Sequence, residues 1–158
     1  MKKILNALYQ QQLLSHSQAR EILINIAKGV YNPSEIASFL TVFMMRGVTV
    51  QELSGFREAL LELCRPVDFN GIDTIDLCGT GGDEKNTFNI STLASFVVAG
   101  AGVSVAKHGN YGVSSVSGSS NVLEYLGYRF SNDNAVLLRQ LEQAGICFMH
   151  APLFHPAM

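Results

Sequence analysis

The chain has 158 residues, of which 47% are hydrophobic, so it is long enough to form one ordinary domain or two small ones with a buried core. The formal net charge of −2 at pH 7 argues against nonspecific binding to nucleic acid, which needs a basic surface. The sequence contains no run of 18 apolar residues, so we expect no membrane span.

The first 65 residues are predicted to form a small helical domain. Capping boxes occupy residues 15–18 and 49–52, and an Asn-Pro helix start with a third-position glutamate occupies residues 32–35. Apolar residues follow at the spacing of a helix with one buried face, for example across residues 19–27. We therefore expect a helix after each of these caps.

The segment 36–45 is apolar over more of its circumference than one core requires. A helix buried on two sides is either central to a bundle or part of a subunit contact. Both interpretations stay open at this point.

A linker at residues 66–72 precedes a change of pattern, because Pro66, Asn70 and Gly71 interrupt the helical spacing. From residue 73 to 158 the pattern alternates between short apolar runs and amphipathic runs. The predicted strands are 73–78, 103–107 and 146–150, and the predicted helices are about 90–101, 121–127 and 134–144. Asn121 and Glu124 are predicted to cap the helix at 121–127. The expected fold class is α/β: a small N-terminal helical domain followed by the first half of a doubly wound, mainly parallel α/β domain.

A glycine-rich loop separates the first predicted strand from the first helix of this second domain. Residues 76–83 read Asp-Leu-Cys-Gly-Thr-Gly-Gly-Asp, and residues 87–92 read Thr-Phe-Asn-Ile-Ser-Thr. Glycines let a bulky anion approach main-chain amides, and a helix N-terminus favours negative charge. The loop lacks the spacing of a dinucleotide fingerprint and the Gly-Lys-Ser/Thr of a P-loop. It predicts a site for a phosphorylated ligand; the alternative is a glycine turn with Ser91 as an ordinary N-cap.

A second polar cluster follows the second predicted strand. Residues 107–110 read Lys-His-Gly-Asn, and serines recur at 114, 115, 117, 119 and 120. Loops at the carboxyl ends of neighbouring parallel strands converge on one crevice. We therefore expect the two clusters to face the same ligand.

These motifs, in this order and spacing, resemble the anthranilate phosphoribosyltransferase family, and the resemblance extends over the whole chain. It implies transfer of 5-phosphoribosyl from phosphoribosyl pyrophosphate to the amino group of anthranilate, with release of pyrophosphate, in tryptophan biosynthesis. It also implies Mg²⁺ as cofactor and homodimers formed through the helical domain.

The resemblance assigns roles to individual residues. Those implied to bind phosphoribosyl pyrophosphate are Gly79, Gly82, Asp83, Thr87, Asn89, Ser91, Thr92, Lys107, Ser114, Ser115 and Ser119. Those implied to contact anthranilate are Gly79, His108 and Asn110. Ser91 is the implied magnesium ligand, and no residue is assigned as a certain catalytic group.

The chain departs from the family pattern in two places and is shorter than the family's enzymes. Tyr111 stands where the family usually has arginine, and Asn121 where it usually has aspartate; losing an arginine removes a bidentate phosphate donor. The magnesium-binding Asp-Glu pair and the arginine that grips anthranilate are not found in these 158 residues. We therefore expect a truncated half of the enzyme, with weak or no turnover by itself.

Two other classes remain as alternatives: an enzyme similar to pyrimidine nucleoside phosphorylase, and a noncatalytic module that binds phosphate or nucleic acid. A metal site formed by His108, His150 and His155 is disfavoured, because no Cys/His spacing supports it. Three cysteines without metal spacing and the absence of an apolar signal core predict a cytoplasmic protein with reduced thiols.

Overall fold

A computed structural model describes residues 1–79, 87–112 and 117–155. Their contacts divide the chain into two units. Met1–Cys64 together with His155 form the first, and Arg65–Phe154 form the second. Within the described ranges, no helix has both the length and the hydropathy needed to cross a bilayer.

The first unit is helical. Its elements are α1 (Lys2–Tyr9), α2 (His16–Ala27), α3 (Pro33–Arg46) and α4 (Val50–Leu63). The three predicted caps are confirmed, because the side chains of Ser15, Asn32 and Thr49 each accept the amide three residues later. The core of the unit is formed by Leu5, Leu8, Leu14, Ala19, Ile22 and Phe39.

Glu52 is a fully buried carboxylate that joins three segments of the helical unit. It accepts hydrogen bonds from the Leu14 amide at 3.0 Å, from the Thr49 amide and hydroxyl at 2.9 Å, and from the Arg46 guanidinium at 2.6 and 3.1 Å. Burial alone would raise the pKa of Glu52, but these donors hold that pKa at about 2. The carboxylate is therefore ionised and paired inside the unit.

Helix α3 has two apolar faces in different surroundings. Phe39 is buried in the core of the unit, whereas Leu40 is 55% exposed, Met44 87% and Met45 84%. The core interpretation of segment 36–45 accounts for the first face only. The second face is an exposed apolar surface on the helical unit.

The second unit has a parallel sheet covered by helices. Its elements are α5 (Ile90–Gly100), β1 (Val105–Gly109), α6 (Ser119–Tyr125), α7 (Asn134–Ala144), β2 (Ile146–His150) and α8 (Ala151–Phe154). Strands β1 and β2 pair in parallel from Val105 opposite Ile146 to Gly109 opposite His150. On the other side of β1, Ile75 forms a single parallel bridge with Val105.

Both faces of this sheet are buried, as expected for parallel strands. One cluster contains Val105, Leu123, Ile146 and Phe148, with Leu77 and Val98 packed against it. The other contains Ala106, Leu137, Leu141, Cys147, Met149 and Phe154. Successive residues of each strand alternate between the two clusters, which fixes the side on which each side chain of β1 lies.

The predicted helix at 134–144 and strand at 146–150 are confirmed, and three other predictions need correction. The strand predicted at 73–78 is reduced to the bridge at Ile75. Strand β1 runs from 105 to 109 instead of 103 to 107, because Gly102 turns the chain with a φ of +91° after α5.

Helix α6 begins at Ser119, two residues before the predicted start. Gly118 is its N-cap residue, and Asn121 lies inside the first turn. The Glu124 carboxylate accepts the Tyr111 hydroxyl at 2.8 Å, so Asn121 and Glu124 do not cap the helix in the predicted way. Helix α8 was not predicted.

Candidate functional site

Lys107 lies at the centre of the candidate site, and its side chain is only 1% exposed. Its Nζ donates to the carbonyl oxygens of Leu77 at 3.0 Å and His108 at 3.2 Å, and lies 3.4 Å from Ser91 Oγ. Gly79 covers the same hydroxyl, since a Cβ added there would lie 3.2 Å from Ser91 Oγ. The structure therefore brings together Gly79 of the glycine-rich loop, Ser91 of α5 and Lys107 of β1.

This arrangement arises because segment 73–78 stops pairing with β1 after the bridge at Ile75. The Ile75 amide donates to Ser104 at 2.9 Å and the Ile75 carbonyl accepts from Ala106 at 3.0 Å, as in a parallel ladder. A continued ladder would next place the His108 amide on the Leu77 carbonyl. Instead Asp76 Oδ1 accepts the His108 amide at 3.0 Å, and the Leu77 carbonyl accepts Lys107 Nζ.

Burial lowers the pKa of the Lys107 amine, and the nearby Cys78 and Asp76 oppose this effect. Two carbonyl oxygens and one hydroxyl surround the ammonium group, and they supply no formal negative charge. A phosphate oxygen at this point would add the anionic partner that the described residues in direct contact with Nζ do not provide.

Helix α5 begins beside Lys107, and Asn89 is its N-cap residue. The Asn89 side chain makes no capping bond and instead donates from Nδ2 to the Gly118 carbonyl at 3.2 Å. The alternative of Ser91 as N-cap is therefore wrong. Asn89 links the start of α5 to the start of α6, so both predicted clusters meet here.

Two threonines of the predicted site differ in their surroundings. Thr87 is exposed and directly follows the undescribed residues 80–86. Thr92 is 4% exposed, and its buried Oγ1 has no hydrogen-bond partner in the described part of the chain. A buried hydroxyl without a partner is unusual and favours a ligand or an ordered water molecule nearby.

The second loop is closed by side chains and amides of α6. Asn121 Oδ1 accepts the amides of Gly112 and Gly118, both at 2.9 Å. The Asn110 carbonyl accepts the Ser120 amide at 3.1 Å and the Ser119 hydroxyl at 3.4 Å. These bonds join Asn110 and Gly112 to the start of α6. The predicted residues Ser114 and Ser115, like Gly82 and Asp83 of the first loop, lie outside the described residues.

Asp76 is the residue that the sequence analysis did not single out. Its Oδ2 lies 3.0 Å from His108 Nδ1, in addition to the main-chain bond from Oδ1. The available indication was a carboxylate near the end of the predicted strand 73–78, three residues before the first glycine of the loop. Without the position of β1, nothing in the sequence linked it to His108.

An open cavity of about 620 Å³ lies beside the second loop, lined by Tyr111, Glu124, Gly127, Tyr128, Arg129, Phe130, His150 and Leu153. The Tyr111 ring contacts the edge of His150, and Phe130 stacks on the same imidazole. Burial lowers the pKa of His150, whose Nδ1 lies 2.8 Å from Ser120 Oγ. Tyr111 thus anchors its loop to α6 and β2 instead of presenting a cation.

Metal-binding clusters of three or more His, Cys, Asp or Glu side chains are not found among the described residues. Ser91 Oγ is a hard oxygen of the type that Mg²⁺ accepts, and it can supply one ligand position. Because magnesium bound to a diphosphate takes most of its ligands from phosphate oxygens and water, a single serine is compatible with that ion.

Comparison with known families follows the same division of the chain. Residues 2–64 match the model described as "Glycosyl transferase family, helical bundle domain", and residues 71–158 match "Glycosyl transferase family, a/b domain". The chain belongs to this glycosyl transferase family. The expected fold class is confirmed.

Relatives with curated names support the resemblance found from the motifs. Anthranilate phosphoribosyltransferases of Flavobacterium psychrophilum and Flavobacterium johnsoniae are 68% and 67% identical over all 158 residues of this chain. The chain covers 48% of each relative, so it spans about half their length. The resemblance to anthranilate phosphoribosyltransferases is confirmed.

Two solved structures are similar to this one. Anthranilate phosphoribosyltransferase from Thermus thermophilus superposes with a TM-score of 0.83 at 34% identity, covering 98% of this chain and 47% of that chain. The enzyme from Saccharomyces cerevisiae, in complex with PRPP and Mg, gives a TM-score of 0.84 at 26% identity with the same coverage.

Proposed function

We propose that this chain provides the phosphoribosyl pyrophosphate-binding part of an anthranilate phosphoribosyltransferase of tryptophan biosynthesis. The reaction transfers 5-phosphoribosyl to the amino group of anthranilate and releases pyrophosphate. One observation carries the proposal: Gly79, Ser91 and Lys107 meet at one end of the sheet, in a chain 68% identical to an enzyme of that name.

The chemistry requires stabilisation of a departing diphosphate more than a covalent nucleophile. The anomeric carbon gains positive charge as the carbon–oxygen bond to pyrophosphate breaks, and the leaving oxygens gain negative charge. Hydrogen bonds to charged groups contribute about 1.5–3 kcal/mol each, so several convergent donors are needed. The proposed donors are the main-chain amides at Gly79, Gly82 and Asp83, together with Thr87, Asn89, Ser91, Thr92, Lys107, Ser114, Ser115 and Ser119.

Lys107 adds a buried positive charge to these donors. Its ammonium group is fixed by the Leu77 and His108 carbonyls, so little reorganisation is needed when an anion arrives. Thr92 adds a buried hydroxyl with no partner in the described part of the chain. Ser91 would provide one oxygen to Mg²⁺, which neutralises diphosphate charge when it is bound.

The acceptor is proposed to lie against Gly79, His108 and Asn110. The His108 amide donates to Asp76, and the Asn110 carbonyl accepts the Ser120 amide of α6. These bonds hold the main chain of the acceptor side in place. The role of this side is to orient the amine towards the anomeric carbon, which can account for a large part of a rate enhancement.

Three organisational features belong to the same proposal. The helical domain ends at residue 65, a linker covers 66–72, and residues 73–158 form an incomplete α/β domain that binds phosphoribosyl diphosphate. The exposed face of α3, with Met44 and Met45, forms a homodimer contact. The enzyme works in the cytoplasm.

A chimera tests the proposal. This chain replaces the aligned part of the Flavobacterium psychrophilum relative, and the loss of anthranilate fluorescence is followed with phosphoribosyl pyrophosphate and Mg²⁺. We expect product formation in the chimera and weak or no turnover by the 158-residue chain alone. The unaltered relative serves as the positive control.

A folded chimera without turnover, beside an active relative, would contradict the proposal. Replacing phosphoribosyl pyrophosphate by a pyrimidine nucleoside and inorganic phosphate tests the phosphorylase alternative in the same assay series. Binding to nucleic acid that weakens steeply as the salt concentration rises would instead support the noncatalytic module.

A further inference from the structure

Asp76 contacts His108 at two points. Its Oδ1 accepts the His108 main-chain amide at 3.0 Å, and its Oδ2 lies 3.0 Å from the ring Nδ1. The His108 side chain is 34% exposed and the Asp76 side chain is 42% exposed, so the ring and the carboxylate both reach the surface. The pair lies next to the bridge between Ile75 and Val105, where segment 73–78 stops pairing with β1.

The chemistry of a carboxylate determines the state of the ring. An ionised carboxylate is only an acceptor, so a hydrogen bond to Nδ1 requires that Nδ1 carries the proton. When the imidazole is neutral, its other nitrogen, Nε2, is then an acceptor. The main-chain bond adds a second restraint, because it fixes the backbone from which the ring projects.

We propose that Asp76 is a positioning residue that holds His108 as the Nδ1–H tautomer, so that Nε2 accepts an N–H of the aromatic amine substrate. The inference rests on the proposed function and specifies how its acceptor side works. An amine that donates one N–H to Nε2 has its lone pair restricted in direction, which favours attack on the anomeric carbon. Asp76 itself does not touch the substrate.

A purely structural role for Asp76 would need only the bond from the His108 amide. The substitution Asp76→Asn separates the two roles. The asparagine oxygen can still accept that amide, while its NH₂ group faces Nδ1 and favours the opposite tautomer. Asp73→Asn is the matched control, because Asp73 lies in the same segment, three residues before Asp76, and is exposed.

The first measurement uses the 158-residue chain labelled with ¹⁵N-histidine, in which long-range ¹H–¹⁵N spectra distinguish protonated from unprotonated ring nitrogens. At pH 8 we expect His108 to carry its proton on Nδ1 in the unsubstituted chain and in Asp73→Asn. In Asp76→Asn we expect the proton on Nε2. A His108 ring that is unprotonated at Nδ1 in the unsubstituted chain would overturn the proposal.

The second measurement uses the chimera. We expect Asp76→Asn to lower kcat/KM for anthranilate by about tenfold or more, while KM for phosphoribosyl pyrophosphate stays within about twofold. Equal losses for both substrates, or a switched tautomer with unchanged anthranilate kinetics, would refute the positioning role. An inactive chimera would count against the proposed function, whereas the spectra alone would still decide the tautomer.

Discussion

Replacing Gly118 by alanine should damage the second loop. A Cβ at Gly118 would lie 2.5 Å from the Asn110 carbonyl oxygen and still closer to the Gly112 nitrogen and the Tyr111 carbonyl carbon. All three are main-chain atoms, so no side-chain rotation can relieve the overlap. Overpacking of this kind costs about 1–3 kcal/mol.

The displacement would also disturb hydrogen bonds that involve Gly118. Its amide donates to Asn121 and its carbonyl accepts from Asn89, and each such bond contributes about 1 kcal/mol. We therefore expect Gly118→Ala to lower the free energy of unfolding by about 2–4 kcal/mol. It should also weaken phosphoribosyl pyrophosphate binding, since it separates the starts of α5 and α6.

The matched control is Gly100→Ala at the end of α5, where an added Cβ meets nothing within 4 Å. Alanine in a helix is favoured over glycine by about 0.5–1 kcal/mol, so this variant should be as stable as the parent or slightly more stable. Urea unfolding followed by circular dichroism compares the two. Equal stability of the two variants would refute the packing argument.

Three further predictions concern other parts of the chain. The pKa of Glu52 is about 2, below its ordinary value of 4.5, so its stabilising effect is present above pH 4.5 and disappears as the pH falls towards 2. Glu52→Gln should remove this pH dependence and cost about 3 kcal/mol at pH 7 by urea unfolding; an unchanged pH profile would contradict the pairing with Arg46. Lys107→Met in the chimera should raise KM for phosphoribosyl pyrophosphate at least about tenfold, and an unaltered KM would show that the buried ammonium does not bind the anion. Met44→Lys should convert the proposed dimer to a monomer, as measured by sedimentation velocity. The control is Gln51→Lys at another exposed position. A parent chain that is already monomeric would refute the dimer.

Local signals made the helical unit predictable from its sequence. The caps at Ser15, Asn32 and Thr49 depend on residues three positions away, so their pattern is readable in a short window. The same window did not reveal that Glu52 also accepts the Leu14 amide 38 residues away. The bond from Leu14 to Glu52 forms only when the helices pack together, so a short stretch of sequence does not predict it.

The candidate site was predictable in its location and less so in its contacts. The order of strand, glycine-rich loop and helix correctly indicated that Ser91 and Lys107 come together. The strand at 73–78 was overpredicted because its β-branched residues fit a ladder, whereas the Asp76 side chain takes the amide that would continue it. The start of α6 was misplaced because Asn121 accepts amides from within the first turn.

The most direct test of the account is an amide NMR titration of this chain with magnesium and phosphoribosyl pyrophosphate. We expect the largest shift changes at Gly79, Ser91, Thr92, Lys107 and Ser119, at the shared end of the sheet. Shift changes confined to the helical unit would contradict the account. So would the absence of any change at concentrations that saturate the Flavobacterium psychrophilum relative.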